Sequence, residues 1–267
     1  MNTREVRRRL ATDELVDSVA VAEFHAAHGN PQFAPVVVVA AAYRERENIG
    51  RVVDALPAKL CGEPISFLVV VDGEEDGTAE IVRKAGHYAV VAPVNRGQGA
   101  ALRLGYRVAT DGGARFLVTA DADGQTDPTD LAVVLGPVLA DEADLVTGSR
   151  RLGRTESADV VRNFGIVFFS ALITALTGTR VTDVANPIRA MRAELPARLT
   201  LAEAQYQSSE LLIGALMAGA RYAERPVTML ARASGRSKKG GNLVYGFRFT
   251  RVVLHTWWRE RRARRPA

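Results

Sequence analysis

The sequence contains very little cysteine and histidine. Its single cysteine, Cys61, excludes an internal disulfide bond and a metal site built from several cysteines, and it fits a reducing, cytoplasmic compartment. The four histidines fall outside every motif described below; they are His25, His28, His87 and His255. We therefore expect these histidines to be packed or surface residues rather than metal ligands or acid–base groups.

A hydrophobic run long enough to span a bilayer is missing as well. The longest apolar stretch, residues 164–178, is shorter than the roughly 18–20 residues that a spanning helix needs. Arg4 and the arginines at 7–9 are not followed by an apolar segment, which argues against a secretory signal. The ordinary composition of the 267 residues predicts a globular protein that buries a large core.

Strand-length apolar runs and helical patterns alternate from Pro35 onward. This alternation predicts an α/β fold with a mostly parallel sheet and helices on both of its faces. The predicted strands are 36–41, 65–71, 89–92, 116–120, 144–147 and 222–230, the last broken by Pro226, and the predicted helices are 47–56, 78–84, 99–109, 131–139, 162–177 and 208–218. Since no linker rich in Pro, Gly or Ser interrupts them, we interpret residues 35–242 as one domain.

Two segments flank this predicted domain. Within residues 1–34, a rough helical stripe of Leu10, Leu15, Val16 and Val19 predicts a docking helix or a mobile arm. Residues 243–267 mix aromatic side chains with arginine, and the chain's excess of basic residues is concentrated in the last twenty positions.

The segment Asp121–Gln125 directly follows the predicted strand 116–120. Its two carboxylates, Asp121 and Asp123, stand one residue apart and project from the carboxyl end of that strand, where open α/β sheets bind their ligands. Hard oxygen ligands of this kind suit Mg²⁺ or Mn²⁺, whose coordination shell is usually completed by substrate phosphates. A polar turn is the alternative, because Asp and Gly are common turn residues.

Further polar segments are predicted at the same edge of the sheet. Tyr43 could pack on a base or ribose and Glu45 could accept hydrogen bonds from sugar or base donors, unless both simply belong to a charged helix N-terminus. Asp72 could hydrogen-bond a base or ribose, whereas Asp76 and Thr78 are predicted to cap the next helix. These positions together predict a crevice along the carboxyl edge.

Glycine and arginine mark the remaining parts of this edge. Gly97 and Gly99 precede a predicted helix, and their spacing permits close approach of the backbone to a phosphate, although it matches neither a P-loop nor a Rossmann fingerprint. Arg150, in the segment that follows the predicted strand 144–147, brings a cation to the same edge, unless it forms a surface ion pair.

The order of these motifs resembles the family 2 glycosyltransferases with the GT-A fold, and within them the polyprenyl-phosphate (dolichol-phosphate) mannosyltransferases. The resemblance extends from about Val36 to Asn242. It rests, in chain order, on Tyr43-x-Glu45-x-Glu47-Asn48, Asp72-Gly73-x-x-Asp76-Gly77-Thr78, Asn95-x-Gly97-x-Gly99-x-Ala101, Asp121-x-Asp123-x-Gln125-x-x-Pro128, Asp144-x-Val146-x-Gly148-Ser149-Arg150, Arg162, Glu210, Glu224-x-Pro226, Arg232 and Gly235-x-Ser237-Lys238. The sequence departs from the family pattern at Ala41, Arg44, Val71 and Gln98, where Pro, Asn, Asp and Lys are usual.

This resemblance implies that a sugar, mannose or glucose, is transferred with inversion from a nucleotide diphosphate sugar to a polyprenyl phosphate. Asp121, Asp123 and Gln125 would hold Mg²⁺ or Mn²⁺. The residues expected to bind the nucleotide sugar are Tyr43, Glu45, Asp72, Gly97, Gly99 and Asp121, those expected to bind the acceptor phosphate are Arg150, Arg162, Arg232 and Lys238, and those expected to act in catalysis are Asp123, Arg150 and Glu210.

A lipid acceptor implies contact with a membrane. Phe247, Trp257 and Trp258 alternate with arginines in the tail, and such a segment suits an anionic membrane surface, to which each basic residue contributes roughly 1 kcal/mol. The apolar helix that contains 164–169 could lie against lipid or in the core. A nucleic-acid tail would be equally basic, but we expect no nucleic acid and instead peripheral attachment to the inner face of the cytoplasmic membrane.

Two other functions stay open at this point. A related glycosyltransferase could act on a soluble hydroxyl acceptor, which needs a carboxylate base, and Glu210 is then the candidate unless it is a helix-surface charge. A non-catalytic GT-A domain could bind a nucleotide sugar or a membrane, but the intact pair Asp121 and Asp123 argues against it.

Overall fold

The structure is a computed structural model that describes residues 3–73, 76–155, 160–229 and 242–264. The helices are α1 (Thr3–His28), α2 (Arg46–Ala55), α3 (Thr78–Lys84), α4 (Gln98–Asp111), α5 (Pro128–Leu139), α6 (Val160–Thr177), α7 (Gln207–Met217) and α8 (Asn242–Ala263), with a 3₁₀ helix at Pro196–Arg198. The strands are β1 (Val36–Ala42), β2 (Lys59–Leu60), β3 (Glu63–Asp72), β4 (Tyr88–Ala92), β5 (Phe116–Asp121), β6 (Leu145–Thr155), β7 (Arg189–Arg192) and β8 (Tyr222–Met229).

The strands form one sheet in the order β2-β3-β1-β5-β7-β6-β8, with β4 beside β3. Four strands lie side by side and are parallel to one another, in the order β4, β3, β1 and β5. Strand β8 is parallel to β6. Strand β7 is antiparallel to both of its neighbours, β5 and β6. Ala41 of β1 lies opposite Asp121 of β5, and Asp72 of β3 lies opposite Ala92 of β4. The mostly parallel sheet is therefore confirmed, and its carboxyl ends bring Asp72 and Asp121 to one edge.

Each face of the sheet carries its own hydrophobic core. Val37 and Val39 of β1 belong to a cluster with α1, α4, α6, α7 and α8, whereas Val36 and Val38 belong to a cluster with α2, α3 and α5. This division follows from the alternation of side chains along a strand. The prediction of helices on both faces is confirmed.

Two strands differ from what the sequence predicts. Strand β8 runs through Pro226, which lies opposite Ser149 of β6, but its pairing with β6 shifts register directly after that pair. Because β8 is outermost in the strand order, it tolerates the missing N–H of proline. Strand β7 was not predicted at all, because its four residues place only two apolar side chains, Ala190 and Met191, between Arg189 and Arg192, which is too short an apolar run.

The helix expected near the N-terminus forms, but only part of the predicted stripe docks: Val16 is half-buried, and the side chain of Leu10 lies outside the described set. Leu15 is 73 % exposed and Val19 is also exposed, whereas Phe24 is buried in the core. Asp13 and Asp17 share the helix face of Phe24 and form ion pairs with Arg103 and Arg107 of α4. The phase of the stripe was misjudged because the docking face uses carboxylates as well as apolar groups.

Helix α4 lies so close to the sheet that one of its positions requires glycine. A Cβ on Gly105 would lie 2.5 Å from Val39 Cγ1 and 2.9 Å from Val70 Cγ2. We expect Gly105→Ala to lower the free energy of unfolding by about 1–3 kcal/mol because it overpacks this contact. Gly50→Ala in α2, where a Cβ meets nothing within 4 Å, is expected to raise that free energy by up to about 1 kcal/mol. Urea unfolding of both variants checks this, and equal effects of the two substitutions would contradict it.

Candidate active site

Asp121 and Asp123 line a cavity of about 190 Å³ between α2 and the start of α5. Asp121 ends β5, and its Oδ1 accepts a hydrogen bond of 3.3 Å from Nε2 of Gln98. Asp123 Oδ1 accepts the backbone N–H of Gln125 at 3.1 Å. Gln125 also lines a smaller cavity together with Asp121. The structure thus brings the three predicted metal ligands to one turn at the carboxyl edge of the sheet.

The donors in this turn fit a divalent ion that binds together with its substrate. In the described ranges, no group of three or more His, Cys, Asp or Glu side chains is placed to hold a metal ion. Two carboxylates and one amide oxygen are too few to enclose Mg²⁺ or Mn²⁺. Such ions are commonly held by one or two carboxylates and complete their shell with substrate phosphates and water. The donor set therefore suits an ion that arrives with a diphosphate.

Tyr43 and Glu45 follow β1 and so lie at the same edge as Asp121. The guanidinium of Arg44 lies 5.2 Å from the centroid of the Tyr43 ring. Glu45 Oε2 accepts a hydrogen bond of 2.8 Å from Nδ2 of Asn48 in the first turn of α2. The structure brings both side chains to the expected place, and their contacts with a nucleoside stay a prediction.

Asp72, expected to bind a base or ribose, is almost fully buried. Its carboxylate accepts the backbone N–H of Arg96 at 2.9 and 3.0 Å and that of Gly97 at 2.6 Å. Burial raises the pKa of Asp72, and these N–H groups and the Arg96 charge oppose the rise. Asp72 therefore holds the loop before α4 in place, and a contact with the nucleoside stays a prediction.

Gly97 and Gly99 are required by a contact inside the protein. A Cβ on Gly97 would lie 2.7 Å from the carbonyl oxygen of Ala204, and one on Gly99 would overlap the carbonyl oxygen of Glu203. The N–H of Gly99 also donates to the carbonyl of Ala204 at 2.8 Å. Close packing on residues 203–204 explains both glycines, whereas their predicted approach to a phosphate is not tested.

Helix α1 holds the same loop from the other side. Arg96 Nη2 pairs with Asp17 at 2.7 Å, and its Nη1 donates to the carbonyl of Asp13 at 3.0 Å. Arg103, in the middle of α4, pairs with the carboxylate of Asp13 at 2.5 Å. No pattern in the sequence pointed to these carboxylates, because they lie far along the chain from the loop that they contact.

Arg150 lies within β6 and not after it, which corrects the predicted end of that strand at residue 147. Its side chain is 5 % exposed, and its Nε and Nη2 each donate to the Asp183 carboxylate at 2.6 Å. The backbone N–H of Arg150 donates to the same carboxylate at 3.0 Å. Asp183 was missed by the sequence analysis because it lies in an irregular segment between α6 and β7. The predicted contact of Arg150 with the acceptor phosphate stays a prediction.

Glu210, the candidate base for a hydroxyl acceptor, is fully buried in α7. Its carboxylate accepts the N–H of Ala202 at 3.0 Å and that of Glu203 at 2.9 Å, and it accepts a bond of 3.1 Å from Nη1 of Arg259. Burial raises the pKa of Glu210, while these donors oppose the rise. The structure thus surrounds Glu210 with internal partners.

The other residues expected to bind the acceptor phosphate lie beyond what the structure describes. Arg162 belongs to α6, but its side chain is outside the described set. Arg232 and Lys238 fall within residues 230–241, which are also outside the described ranges. These three assignments stay predictions.

The comparisons with known proteins identify the family. The glycosyl transferase family 2 model matches residues 37–198, which is more than half of the chain. This chain therefore belongs to glycosyl transferase family 2 and is a glycosyltransferase enzyme, as the sequence motifs predicted.

Curated relatives match over most of their length. The dolichyl-phosphate hexose transferase of Haloferax volcanii is 31 % identical over 225 residues, which cover 83 % of this chain and 95 % of the relative. The undecaprenyl-phosphate mannosyltransferase of Micrococcus luteus is 29 % identical over 246 residues, which cover 86 % of this chain and 98 % of the relative.

Solved structures support the fold. The glucosyl-3-phosphoglycerate synthase of Mycobacterium tuberculosis, in its complex with Mn²⁺ and UDP-glucose, aligns with a TM-score of 0.65 at 22 % identity. The alignment covers 89 % of this chain and 82 % of that protein. The predicted GT-A fold is confirmed.

The buried pair of Arg150 and Asp183 predicts a large effect on stability. We expect Arg150→Met to lower the free energy of unfolding by about 3–5 kcal/mol, because the substitution leaves the Asp183 carboxylate buried and unpaired. Arg151→Met, at the exposed neighbouring position, is expected to change it by about 0.5 kcal/mol or less. Urea unfolding checks both values. An Arg150→Met protein that is as stable as the wild type but binds acceptor poorly would instead favour the direct phosphate contact.

Proposed function

We propose that this enzyme transfers a hexosyl group, mannose or glucose, from a nucleotide diphosphate sugar to a polyprenyl phosphate, with inversion. The observation that carries the proposal is the pair Asp121 and Asp123 at the carboxyl edge of the sheet, lining one cavity. The acceptor is inferred from the two relatives named above, which are similar over nearly their whole length and are named for transfer involving lipid phosphates.

The residues at the edge have separate tasks in this proposal. Asp121, Asp123 and Gln125 would hold Mg²⁺ or Mn²⁺, and Tyr43 and Glu45 would bind the nucleoside. When bound, the metal would supply Lewis-acid stabilisation of the charge on the diphosphate. An oxygen of the acceptor phosphate forms the new bond to the anomeric carbon of the sugar. The bond from that carbon to the nucleotide diphosphate breaks on the opposite face, which inverts the configuration.

The surroundings of Glu210 favour a phosphate acceptor over a hydroxyl. A hydroxyl acceptor needs a base within hydrogen-bond reach, whereas a phosphate is already anionic near neutral pH. The Glu210 carboxylate already accepts two backbone N–H groups and the Arg259 guanidinium, and it is fully buried. We therefore assign Glu210 to positioning, and we assign the acceptor phosphate to Arg162, Arg232 and Lys238.

The proposed reaction is tested with purified enzyme, labelled nucleotide sugars, polyprenyl phosphate and Mn²⁺. We expect label in the lipid fraction, and we expect EDTA to abolish it. Asp121→Asn and Asp123→Asn are each expected to lower the rate roughly 100-fold or more, because loss of a metal ligand removes several kcal/mol of charge stabilisation.

The matched control is Asp54→Asn, which removes one carboxylate from the exposed face of α2 and should leave the rate within about twofold. Label that appears only in a water-soluble product would defeat the lipid acceptor. Lipid labelling at the wild-type rate in each of the two single variants, Asp121→Asn and Asp123→Asn, would defeat the proposed metal site.

We also propose that α6 and α8 present the surface that contacts the membrane at its inner face. Phe247, Leu254 and Trp258 are exposed at i, i+7 and i+11 and so share one face of α8. On α6, Phe164 and Phe168 are exposed one turn apart. Exposed arginines follow at positions 261 and 262 on α8 and at position 264 just after it, which suits anionic lipid. No helix in the described part of the chain is long and apolar enough to cross a membrane.

Vesicle binding tests this surface. We expect the double variant Phe247→Ala/Trp258→Ala to bind anionic vesicles at least roughly tenfold more weakly, since each ring that inserts contributes on the order of 1–3 kcal/mol. Leu15→Ala removes an equally exposed apolar side chain from α1 and should leave binding unchanged. Co-sedimentation with vesicles measures both. Equal binding by the double variant and the wild type would refute the proposed face.

A further inference from the structure

Arg259 faces the interior of the protein, whereas the arginines that follow it on α8 are exposed. Its side chain is 20 % exposed, and its Nη1 lies 3.1 Å from Oε1 of Glu210 on α7. Its Nη2 donates to the carbonyl of Thr200 at 2.5 Å. Arg259 therefore joins α8 both to α7 and to the segment 199–206, which leads from the 3₁₀ helix to α7.

Glu210 extends this connection into the segment 199–206. Its carboxylate accepts the N–H groups of Ala202 and Glu203 at 3.0 and 2.9 Å. A second arginine of α8, Arg251, pairs with Oε2 of Glu203 at 3.3 Å. The segment is thus fixed to α8 at two places, of which the one at Arg259 is the more buried.

The same segment forms the surface on which the first turn of α4 rests. The N–H of Gly99 donates to the carbonyl of Ala204 at 2.8 Å, and the backbone approach is too close for any side chain at Gly99. Gln98, between the two glycines, donates to Asp121 Oδ1 at 3.3 Å. A shift of residues 203–204 would therefore move the turn that contacts a proposed metal ligand.

We propose that Arg259 is a positioning residue for nucleotide-sugar binding. Through Glu210 and the segment 199–206, it holds the first turn of α4, and with it Gln98, beside Asp121. The identity of the ligand rests on the proposed function, but the connection from Arg259 to α4 does not depend on the acceptor.

The first test measures ligand affinity without an acceptor. UDP and GDP are titrated by calorimetry, each with Mn²⁺, into wild-type protein, Arg259→Gln, Arg259→Lys and Arg198→Gln. The last variant is the control, because Arg198 immediately precedes the same segment but forms an exposed ion pair with Glu194. We expect Arg259→Gln to bind the preferred nucleotide roughly 3- to 30-fold more weakly and Arg259→Lys to be intermediate, with the control unchanged. In turnover, KM for the nucleotide sugar should rise more than kcat falls.

The second test needs no ligand at all. Hydrogen exchange of the peptide that covers 97–105 should be faster in Arg259→Gln than in the control, while peptides of β1 and β5 keep their protection. If Arg259→Gln does not fold, two other variants allow the same comparison. The double variant Arg259→Gln/Glu210→Gln removes both charges of the pair, and Arg259→Lys keeps both charges but lacks the second donor group of the guanidinium.

The outcomes separate the two proposals. If the wild type binds neither nucleotide, the proposed function is in error. Hydrogen exchange alone then tests whether Arg259 positions the first turn of α4. Unchanged affinity and unchanged exchange in folded Arg259 variants would overturn the positioning role. Loss of protection throughout the sheet would also overturn it, because it would show a general contribution to stability.

Discussion

The packing of α4's first turn against the carbonyl groups of Glu203 and Ala204 is the contact on which the site depends. It is possible only because positions 97 and 99 lack side chains. The loop before this turn is also fixed by the Asp72 carboxylate from the sheet and by Asp17 of α1 through Arg96. With supports from three directions, the loop is preorganised before any ligand arrives, which is what a binding site on a loop requires.

Buried charged residues also stabilise other parts of the structure. The ion pair of Arg150 and Asp183 and the contacts of Glu210 with Arg259 keep each charge hydrogen-bonded, since a buried charge without a partner costs several kcal/mol. Arg189 is likewise buried, and it donates to backbone carbonyl groups, among them that of Asn186 at 3.3 Å. Charged residues that stand in the family's motifs therefore include residues that hold the site together, and a motif does not distinguish these from residues that touch the substrate.

Most of the sheet could be predicted because parallel strands buried on both faces are continuous apolar runs. The same logic correctly predicted that Asp72 and Asp121 would lie at one edge, since the ends of parallel strands coincide. Strand β7 could not be predicted in this way, because an antiparallel strand with buried arginine has no such run. The partners of Arg150 and Glu210 could not be predicted either, because they come from segments far along the chain or without periodicity.

Helix α8 shows why the basic C-terminal segment is more than an appendage. Phe249 and Val253 belong to the core cluster on one side of the sheet, and the ring of Phe249 lies 4.4 Å from that of Phe169 on α6. Phe247 and Trp258 are exposed on the opposite face of the same helix. A flexible tail would tether the enzyme to a bilayer without orienting it. A helix packed into the core instead fixes the orientation of the proposed membrane face relative to the carboxyl edge of the sheet, so a lipid phosphate held at the membrane would meet the site from one direction.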